Sequence, residues 1–223
     1  MMRGIRNFTI VVAVASGLSA CGGVDGDSDL VRMGSLLLQQ TGLLGGSDDS
    51  VSREKAASVP YASIGVRLGS GQEALLVLAT ASGDDLRWQA GTQVVIGTRD
   101  GHITHTVGFT HNLDGFQGPI PDSKSVPPER GGPYHYLYDM VDMGKYGVLA
   151  QCSQHDAGAE QIVIIGVTHD TRHIVEKCKA KILGWRFTND FWRDAETGYV
   201  WKSVQNFRPD VDALTLEILR PEK

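Results

Sequence analysis

The sequence has few cysteines, few aromatic residues and a single long apolar run. It contains three cysteines in 223 residues, and aromatic residues make up 7% of the chain. Signatures of a serine-hydrolase elbow, a phosphate-binding glycine loop and a dinucleotide site are absent, so we expect no cofactor. With 21 basic and 26 acidic residues, the chain also lacks the basic excess that is typical of nucleic-acid binding.

The apolar run belongs to an N-terminal segment with the pattern of a signal peptide, residues 1–20. Arg3 and Arg6 precede 13 uncharged residues, Phe8 to Ala20. That run is short of the ~20 residues that cross a bilayer as a helix. Its removal takes two basic and no acidic residues, which leaves 203 residues with a net charge of −7. No second run of this kind follows, so we expect the remainder to be soluble.

Cys21 is the candidate lipidation site. Leu18-Ser19-Ala20-Cys21 has the branched apolar residue, two small residues and cysteine at which lipoproteins are cleaved and acylated. Because a lipoprotein cysteine carries two or three chains, such as palmitate, anchoring would be effectively permanent. The alternative is an ordinary secretory signal with a chance cysteine. Gly22 follows in place of the aspartate that retains lipoproteins in the inner membrane, which favours the periplasmic face of the outer membrane.

Two cysteines then remain, Cys152 and Cys178. In an oxidising periplasm such a pair predicts a disulfide, and two separate buried thiols are the alternative. A catalytic thiol is not indicated, because no neighbouring pattern would lower the pKa of either cysteine.

The pattern after the tether predicts an all-β domain. Residues 21–58 form a tether with a short helix at Asp29 to Leu44, and residues 59–223 show about ten short strands separated by turns. Phe116 to Gly132 is rich in proline and indicates a long loop. Gln161 to Thr168 is apolar on both faces, which predicts an interior strand, and His169 to Arg172 has turn character. An antiparallel meander forming a barrel or a sandwich fits this order.

Aromatic residues at alternate positions are the candidate binding surface. Tyr134, Tyr136 and Tyr138 alternate in one strand, and a second group with polar neighbours lies near the C-terminus. The possible glycan-binding or partner-binding residues of that group are Trp185, Phe187, Asn189, Trp192, Trp201 and Gln205. Aromatic anchors are common at interfaces, whereas aromatic residues at this spacing also serve as core pairs.

No catalytic or metal site is predicted. His169 and His173 lack an indicated third ligand, and His102 and His105 have an odd spacing that places them on opposite faces of a strand. The acidic residues Asp190, Asp194 and Glu196 cluster around a predicted turn, where solvated carboxylates are expected. A glycosidase pair is the alternative.

The chain resembles the YjbF/GfcB-type lipoproteins over nearly all of its mature length. Segments that carry the resemblance are Pro60–Ile64, Val66–Leu68, Leu75–Leu78, Leu86–Trp88, Asp100–Gly101, Val107–Phe109 and Asn112–Leu113. The most distinctive match is Trp185, Phe187, Asn189, Phe191, Trp192, Asp194, Gly198, Val200, Trp201, Ser203, Gln205 and Pro209. His102 departs from the family pattern, which has an arginine there, and the proline-rich loop resembles an insertion.

The resemblance implies an all-β, barrel-like lipoprotein without established catalytic residues that serves group 4 capsule or other exopolysaccharide export. Its expected partners are an outer-membrane β-barrel or a periplasmic export protein, and the polysaccharide itself. We therefore expect a non-enzymatic accessory factor. A glycan-active enzyme that trims the polymer and a ligand-carrying barrel are the alternatives.

Overall fold

A computed structural model describes residues 53–91, 94–121 and 133–222. A short helix, α1 (Arg53–Ser58), precedes twelve strands and two short 3-10 turns, Val141–Met143 and Lys181–Leu183. The strands are β1 (Ser63–Leu68), β2 (Ala74–Ser82), β3 (Asp85–Ala90), β4 (Val94–Arg99), β5 (His102–Val107), β6 (Gly115–Pro121), β7 (Tyr134–Met140), β8 (Lys145–Ile164), β9 (Val167–Ala180), β10 (Trp185–Asp194), β11 (Val200–Gln205) and β12 (Leu214–Arg220).

The strands form one antiparallel sheet that curls into a nearly closed barrel. From β5 the sheet runs back through the chain to β1, continues to β12, and then runs back to β6. Each strand therefore pairs with its chain neighbours, except that β1 pairs with β12 and β5 does not pair with β6. The all-β meander is confirmed, with twelve strands in place of about ten. A barrel needs such side-by-side closure to leave few free edges.

The barrel interior is filled by alternate residues of the strands. Trp88, Ile96 and Tyr136 are among the fully buried side chains, and β7 alternates buried and half-buried residues along its whole length. Trp88 donates from Nε1 to Thr98 Oγ1 at 2.9 Å, so its polar atom is satisfied inside the core. Burial of this apolar surface is the main force that holds the sheet curled.

Arg208 ties the loops together at one end of the barrel. Its buried guanidinium donates to the carboxylates of Asp142 and Asp210 at 2.7 and 2.8 Å, and to the carbonyl of Asn112 at 2.6 Å. These partners belong to the loops after β5, β7 and β11. Hydrogen bonds from Arg208 and His111 lower the pKa of Asp142 to about 2.

Three local predictions were wrong. The apolar run Gln161 to Thr168 contains the β8–β9 turn at Ile165 and Gly166, and Val163 within it is 64% exposed. Both turn residues have positive φ, which a hairpin turn of this hand requires but which is unusual for isoleucine. The turn therefore lacked its usual sequence signal. As a result His169 to Arg172, predicted as a turn, lies inside β9.

The first part of the predicted proline-rich loop is also a strand. Residues 115–121 form β6, which among the described strands pairs with β7 alone and has an irregular register between Gln117 and Ile120. Proline lacks the N–H that a central strand needs, but it is tolerated on an edge strand or at a bulge. The remainder of that loop, the signal peptide, Cys21 and the predicted helix at Asp29 to Leu44 lie outside the described residues. No helix in the described ranges is long and apolar enough to cross a membrane.

Candidate functional site

A cleft of about 350 Å³ opens between the edge strands β5 and β6. We call it the edge cleft. Its lining combines aromatic, polar and charged side chains with a short stretch of β6 backbone. The lining residues are Arg99, Asp100, His102, Phe116, Gly118, Pro119, Tyr134, Tyr136, Gln154, Ile174 and Arg193. The cleft exists because β5 and β6 lie side by side without forming a hydrogen-bonded pair.

Glu176 of β9 lies beneath the aromatic wall of the cleft. Its side chain is 1% exposed, and its Oε1 accepts hydrogen bonds from the hydroxyls of Tyr134 at 2.5 Å and Tyr136 at 2.9 Å. Its Oε2 accepts a bond from Asn189 Nδ2 at 2.8 Å. His102 Nε2 lies 3.5 Å from Oε1. A buried carboxylate persists only with partners of this kind, because burial removes its hydration.

These partners keep Glu176 ionised. Burial by itself raises the pKa of the carboxyl group, but the contacts from His102, Tyr134 and Asn189 outweigh it and hold the pKa at about 2. Burial also raises the pKa of Tyr134 and Tyr136 far above the usual tyrosine range, and the Glu176 charge adds to this effect. The tyrosines therefore stay neutral donors. A carboxylate with a pKa this low is a poor general acid near neutral pH.

The rim of the edge cleft is built from paired charges. Arg193 donates to both oxygens of Asp100 at 3.1 Å, and Arg99 binds the carboxylate of Asp85 at 2.7 Å. On the other wall, Gly118 has a φ of +136°, and a Cβ atom there would lie 2.5 Å from Cδ1 of Tyr136. A side chain at position 118 would therefore collide with the aromatic wall.

Two predicted binding residues form hydrogen bonds inside the barrel, and Asn189 belongs to the network around Glu176. Asn189 donates to Glu176 and accepts a bond from the backbone N–H of Asn206 at 2.8 Å. Gln205 reaches β5 and the turn before it: its Oε1 accepts from the Ile103 N–H at 3.0 Å, and its Nε2 donates to the Gly101 carbonyl at 2.7 Å. Both amides therefore connect strands inside the barrel, beside the edge cleft.

The four other predicted aromatic residues divide between the two faces of the sheet. Trp185 and Phe187 stack at 3.8 Å and are buried against Tyr138, as the core alternative expects. Trp192 and Trp201 are half-buried on the outer face. A role of any of these residues in glycan or partner binding stays a prediction.

Each outer tryptophan has a histidine against it. The ring of His173 stacks on Trp192 at 4.7 Å, and His169 lies 4.0 Å from Trp201. His173 also bonds Asp190 Oδ1 through Nε2 at 2.7 Å. The two histidines therefore contact separate tryptophans and do not converge on one site.

Asp190 and Asp194, two of the acidic residues considered for a glycosidase pair, have different hydrogen-bond partners. Asp190 binds His173, whereas Asp194 Oδ1 accepts from the backbone N–H groups of Glu196 and Thr197 and shapes the turn after β10. Asp194 Oδ2 accepts from Trp201 Nε1 at 3.0 Å. These bonds, led by the one from the Thr197 backbone, lower the pKa of Asp194 to about 2.

The disulfide prediction is confirmed. Cys152 and Cys178 face each other across β8 and β9 and are bonded. Together with Glu176, their sulfur atoms form the one group in the described ranges with metal-ligand spacing. Disulfide sulfur is not the thiolate that binds metals, and Glu176 is already saturated with hydrogen bonds, so this group does not fit a metal site.

The sequence patterns did not identify Glu176 or Phe116 as site residues. Glu176 shares the inward face of β9 with Cys178. An acidic residue two positions from a buried cysteine is a detectable signal once that strand is recognised. Because a turn was predicted at His169 to Arg172, β9 was not recognised as one strand. Phe116 was assigned to the loop that proved to be β6.

Comparison with known proteins places this chain in a family. The uncharacterized lipoprotein GfcB of Escherichia coli K12 is 22% identical over 183 residues, covering 80% of this chain and 85% of GfcB. The crystal structure of the hypothetical lipoprotein YmcC from Escherichia coli K12 shares the fold, with a TM-score of 0.61 at 19% identity, covering 91% of this chain and all of that one. A family model described as "Group 4 capsule polysaccharide lipoprotein gfcB, YjbF" matches residues 37–219. The chain therefore belongs to the YjbF family of group 4 capsule polysaccharide lipoproteins.

Proposed function

We propose that this protein is anchored by its acylated Cys21 to the periplasmic face of the outer membrane, where it assists capsule or exopolysaccharide export without catalysing a reaction. Family membership and the lipoprotein cleavage pattern support the general role. Export needs a component that holds the polymer or joins the machinery at the membrane. A lipid-anchored β-barrel domain suits either task.

The observation that carries the proposal is the composition of the edge cleft. Phe116 supplies aromatic surface and packs on the buried ring of Tyr136 at 4.7 Å, while Gln154 and His102 supply polar atoms beside it. A sugar has an apolar ring face and polar edges, and aromatic side chains with hydrogen-bonding neighbours complement both. At about 350 Å³ the cleft is at the lower end of the range for small-molecule sites. It fits a terminal or protruding sugar of a polymer rather than a long stretch of chain.

The state of the carboxylates supports binding in preference to hydrolysis. Glycoside hydrolysis uses two carboxyl groups, of which one has a raised pKa and acts as the acid. Glu176 beside the cleft has a lowered pKa and is held by hydrogen bonds. Asp194 is likewise committed to its turn.

Deletion of the gene tests the role in export. We expect polysaccharide to fall at the cell surface and to accumulate inside, with its chain length unchanged. Normal surface polysaccharide in the deletion strain would refute the proposal, and normal export of abnormally long chains would favour the enzyme.

A cleft-filling variant tests the site. Ile174 lines the edge cleft, so Ile174→Trp should fill it and reduce rescue of the deletion strain. The matched control is Val163→Trp, at a position that is 64% exposed on the β8–β9 hairpin. At equal protein levels, full rescue by Ile174→Trp would exclude the cleft from the function.

Contact with the export machinery is tested separately. The proposal predicts that the lipidated protein co-purifies with an outer-membrane β-barrel or a periplasmic export protein after crosslinking in cells. If it crosslinks to neither, its role is limited to the polymer.

A further inference from the structure

The outer face of β8, β9 and β10 carries a long groove lined by cations. Two adjoining depressions of about 720 and 360 Å³ share Gln151 and Lys179 and so form one continuous surface, which we call the basic groove. Its five cationic residues are Lys145, Lys177, Lys179, Lys181 and Arg186. Among the described residues that line it there is no carboxylate. Such a surface is unexpected in a chain with a net charge of −5.

Two cations of the basic groove lie opposite each other on neighbouring strands. Lys179 of β9 lies directly opposite Arg186 of β10, and like charges at opposed positions destabilise a sheet. Elsewhere in the same sheet, Lys202 lies opposite Glu217 and their charged atoms are 2.7 Å apart. Within the described part of the chain, none of the five groove cations forms an ion pair. An anionic ligand would relieve the repulsion between Lys179 and Arg186.

The shape and spacing of the groove indicate the kind of anion. Outward residues two positions apart on a strand, such as Lys177 and Lys179, are ~6.6 Å apart, so the charges form a row rather than a point. Exposed apolar side chains flank the row: Tyr146 is 66% exposed, Leu149 50% and Ile182 74%. A linear polymer with repeating charges and apolar ring faces fits a row of cations flanked in this way.

We propose that the basic groove binds an acidic polysaccharide, a linear polymer whose sugars carry carboxylate groups. The idea rests on the proposed function and adds the substrate class, because it assigns a negative charge to the polymer that this protein contacts. The carboxylates pair with Lys177, Lys179, Lys181 and Arg186, and the sugar rings lie against Tyr146 and its apolar neighbours.

Binding of a defined polymer tests this proposal. The full lipidated protein in neutral detergent is titrated with a galacturonic-acid oligomer, and with neutral dextran of matched length, in a calorimeter. We expect the acidic oligomer to bind, the dextran to bind more weakly, and the difference to shrink as salt screens the charges. The triple variant Lys177→Gln, Lys179→Gln, Lys181→Gln should bind the acidic oligomer about tenfold more weakly, since exposed ion pairs each contribute modestly.

A matched control separates the groove from net charge. The triple variant Arg67→Gln, Arg87→Gln, Arg220→Gln removes the same charge from β1, β3 and β12, outside the groove. It should bind the acidic oligomer like the unmodified protein. Equal binding by the lysine variant and the unmodified protein would overturn the proposal. Equal weakening of both variants would overturn it as well, as would lysine-dependent binding to vesicles of anionic phospholipid with no binding of the oligomer.

A second measurement avoids dependence on folding of the variants. In the unmodified protein, bound oligomer should slow acetylation of Lys177, Lys179 and Lys181, whereas Lys202, which is paired with Glu217, should react as before. Unchanged acetylation of the groove lysines would also overturn the proposal. These binding results do not depend on the gene deletion, so failure of the groove and failure of the export role are separate outcomes.

Discussion

His102 Nε2 lies 3.5 Å from Oε1 of Glu176, although the two residues are 74 positions apart in the sequence. Tyr136 joins them, because its hydroxyl donates to Glu176 and lies 2.9 Å from His102 Nε2. A tyrosine hydroxyl has one proton to give, so the imidazole is the donor in its contact with Tyr136. This chain links the free edge strand β5 to β9 and forms the inner wall of the edge cleft.

Replacement of Glu176 by glutamine should destabilise the protein and change its pH dependence. The amide of Glu176→Gln offers one acceptor oxygen in place of two, so a buried donor loses its partner at a cost of about 1 to 3 kcal/mol in the free energy of unfolding. Urea unfolding at neutral pH measures this loss. A variant as stable as the unmodified protein would show that the network is not stabilising.

The sign of the pH effect follows from the lowered pKa of Glu176. Its carboxyl group has a pKa of about 2 in the folded protein and an ordinary value of 4.5. The stabilisation is therefore present above pH 4.5 and is lost as the pH falls toward 2, on the order of 3 kcal/mol. Across this pH range the free energy of unfolding should fall less steeply for Glu176→Gln, because the variant has no carboxylate at position 176 to protonate. An equal fall in the free energy of unfolding of the two proteins would contradict the lowered pKa of Glu176.

Gly118→Ala should destabilise the fold more than a matched change at Gly158. Both glycines have positive φ, +136° and +118°, so alanine is strained at either position. Only at Gly118 does the added Cβ collide, 2.5 Å from Tyr136 Cδ1, because no atom lies within 4 Å at Gly158. We expect Gly158→Ala to lose about 1 kcal/mol and Gly118→Ala to lose more. Equal unfolding midpoints in urea would show that Tyr136 moves aside freely.

Removal of the disulfide should lower stability without changing the fold. Cys152 and Cys178 are separated by 26 positions, and closing a loop of that length contributes about 3 to 4 kcal/mol in the chain-entropy model. The double variant Cys152→Ala, Cys178→Ala should show this loss in urea unfolding. The unmodified protein in reducing agent is the control and should move in the same direction. No change in either sample would contradict the prediction.

Asparagine substitutions test the enzyme alternative. Asp190→Asn and Asp194→Asn keep an oxygen acceptor for His173 and for the turn, respectively, so both proteins should fold. If the protein is not a glycan-active enzyme, each variant restores export in the deletion strain with normal polymer length, as does Glu196→Gln. Size-exclusion chromatography of the exported polysaccharide measures this. Longer chains with any one variant would place that carboxylate in a catalytic role.

Much of the fold follows from local sequence patterns. Alternation in Tyr134–Met140 and from Trp185 predicts strands because side-chain direction in a strand repeats every two residues, which is a local property. The disulfide was predictable because, once Cys21 is assigned to the lipoprotein signal, Cys152 and Cys178 are the remaining cysteines, and an oxidising compartment favours their pairing. Where the local signal misled, as at Ile165, a strained turn residue took the place of the usual glycine or asparagine.

The two proposed binding surfaces depend on contacts that no local pattern records. The edge cleft arises because curling of the sheet brings β5 beside β6 and sets His102 against Glu176. The basic groove arises because strand register places Lys179 opposite Arg186, on a face that receives residues from three strands. Register and closure are set by burial of side chains distant in the sequence. The chain alone therefore determined the lipoprotein signature and the strand pattern, and tertiary packing decided where a ligand could bind.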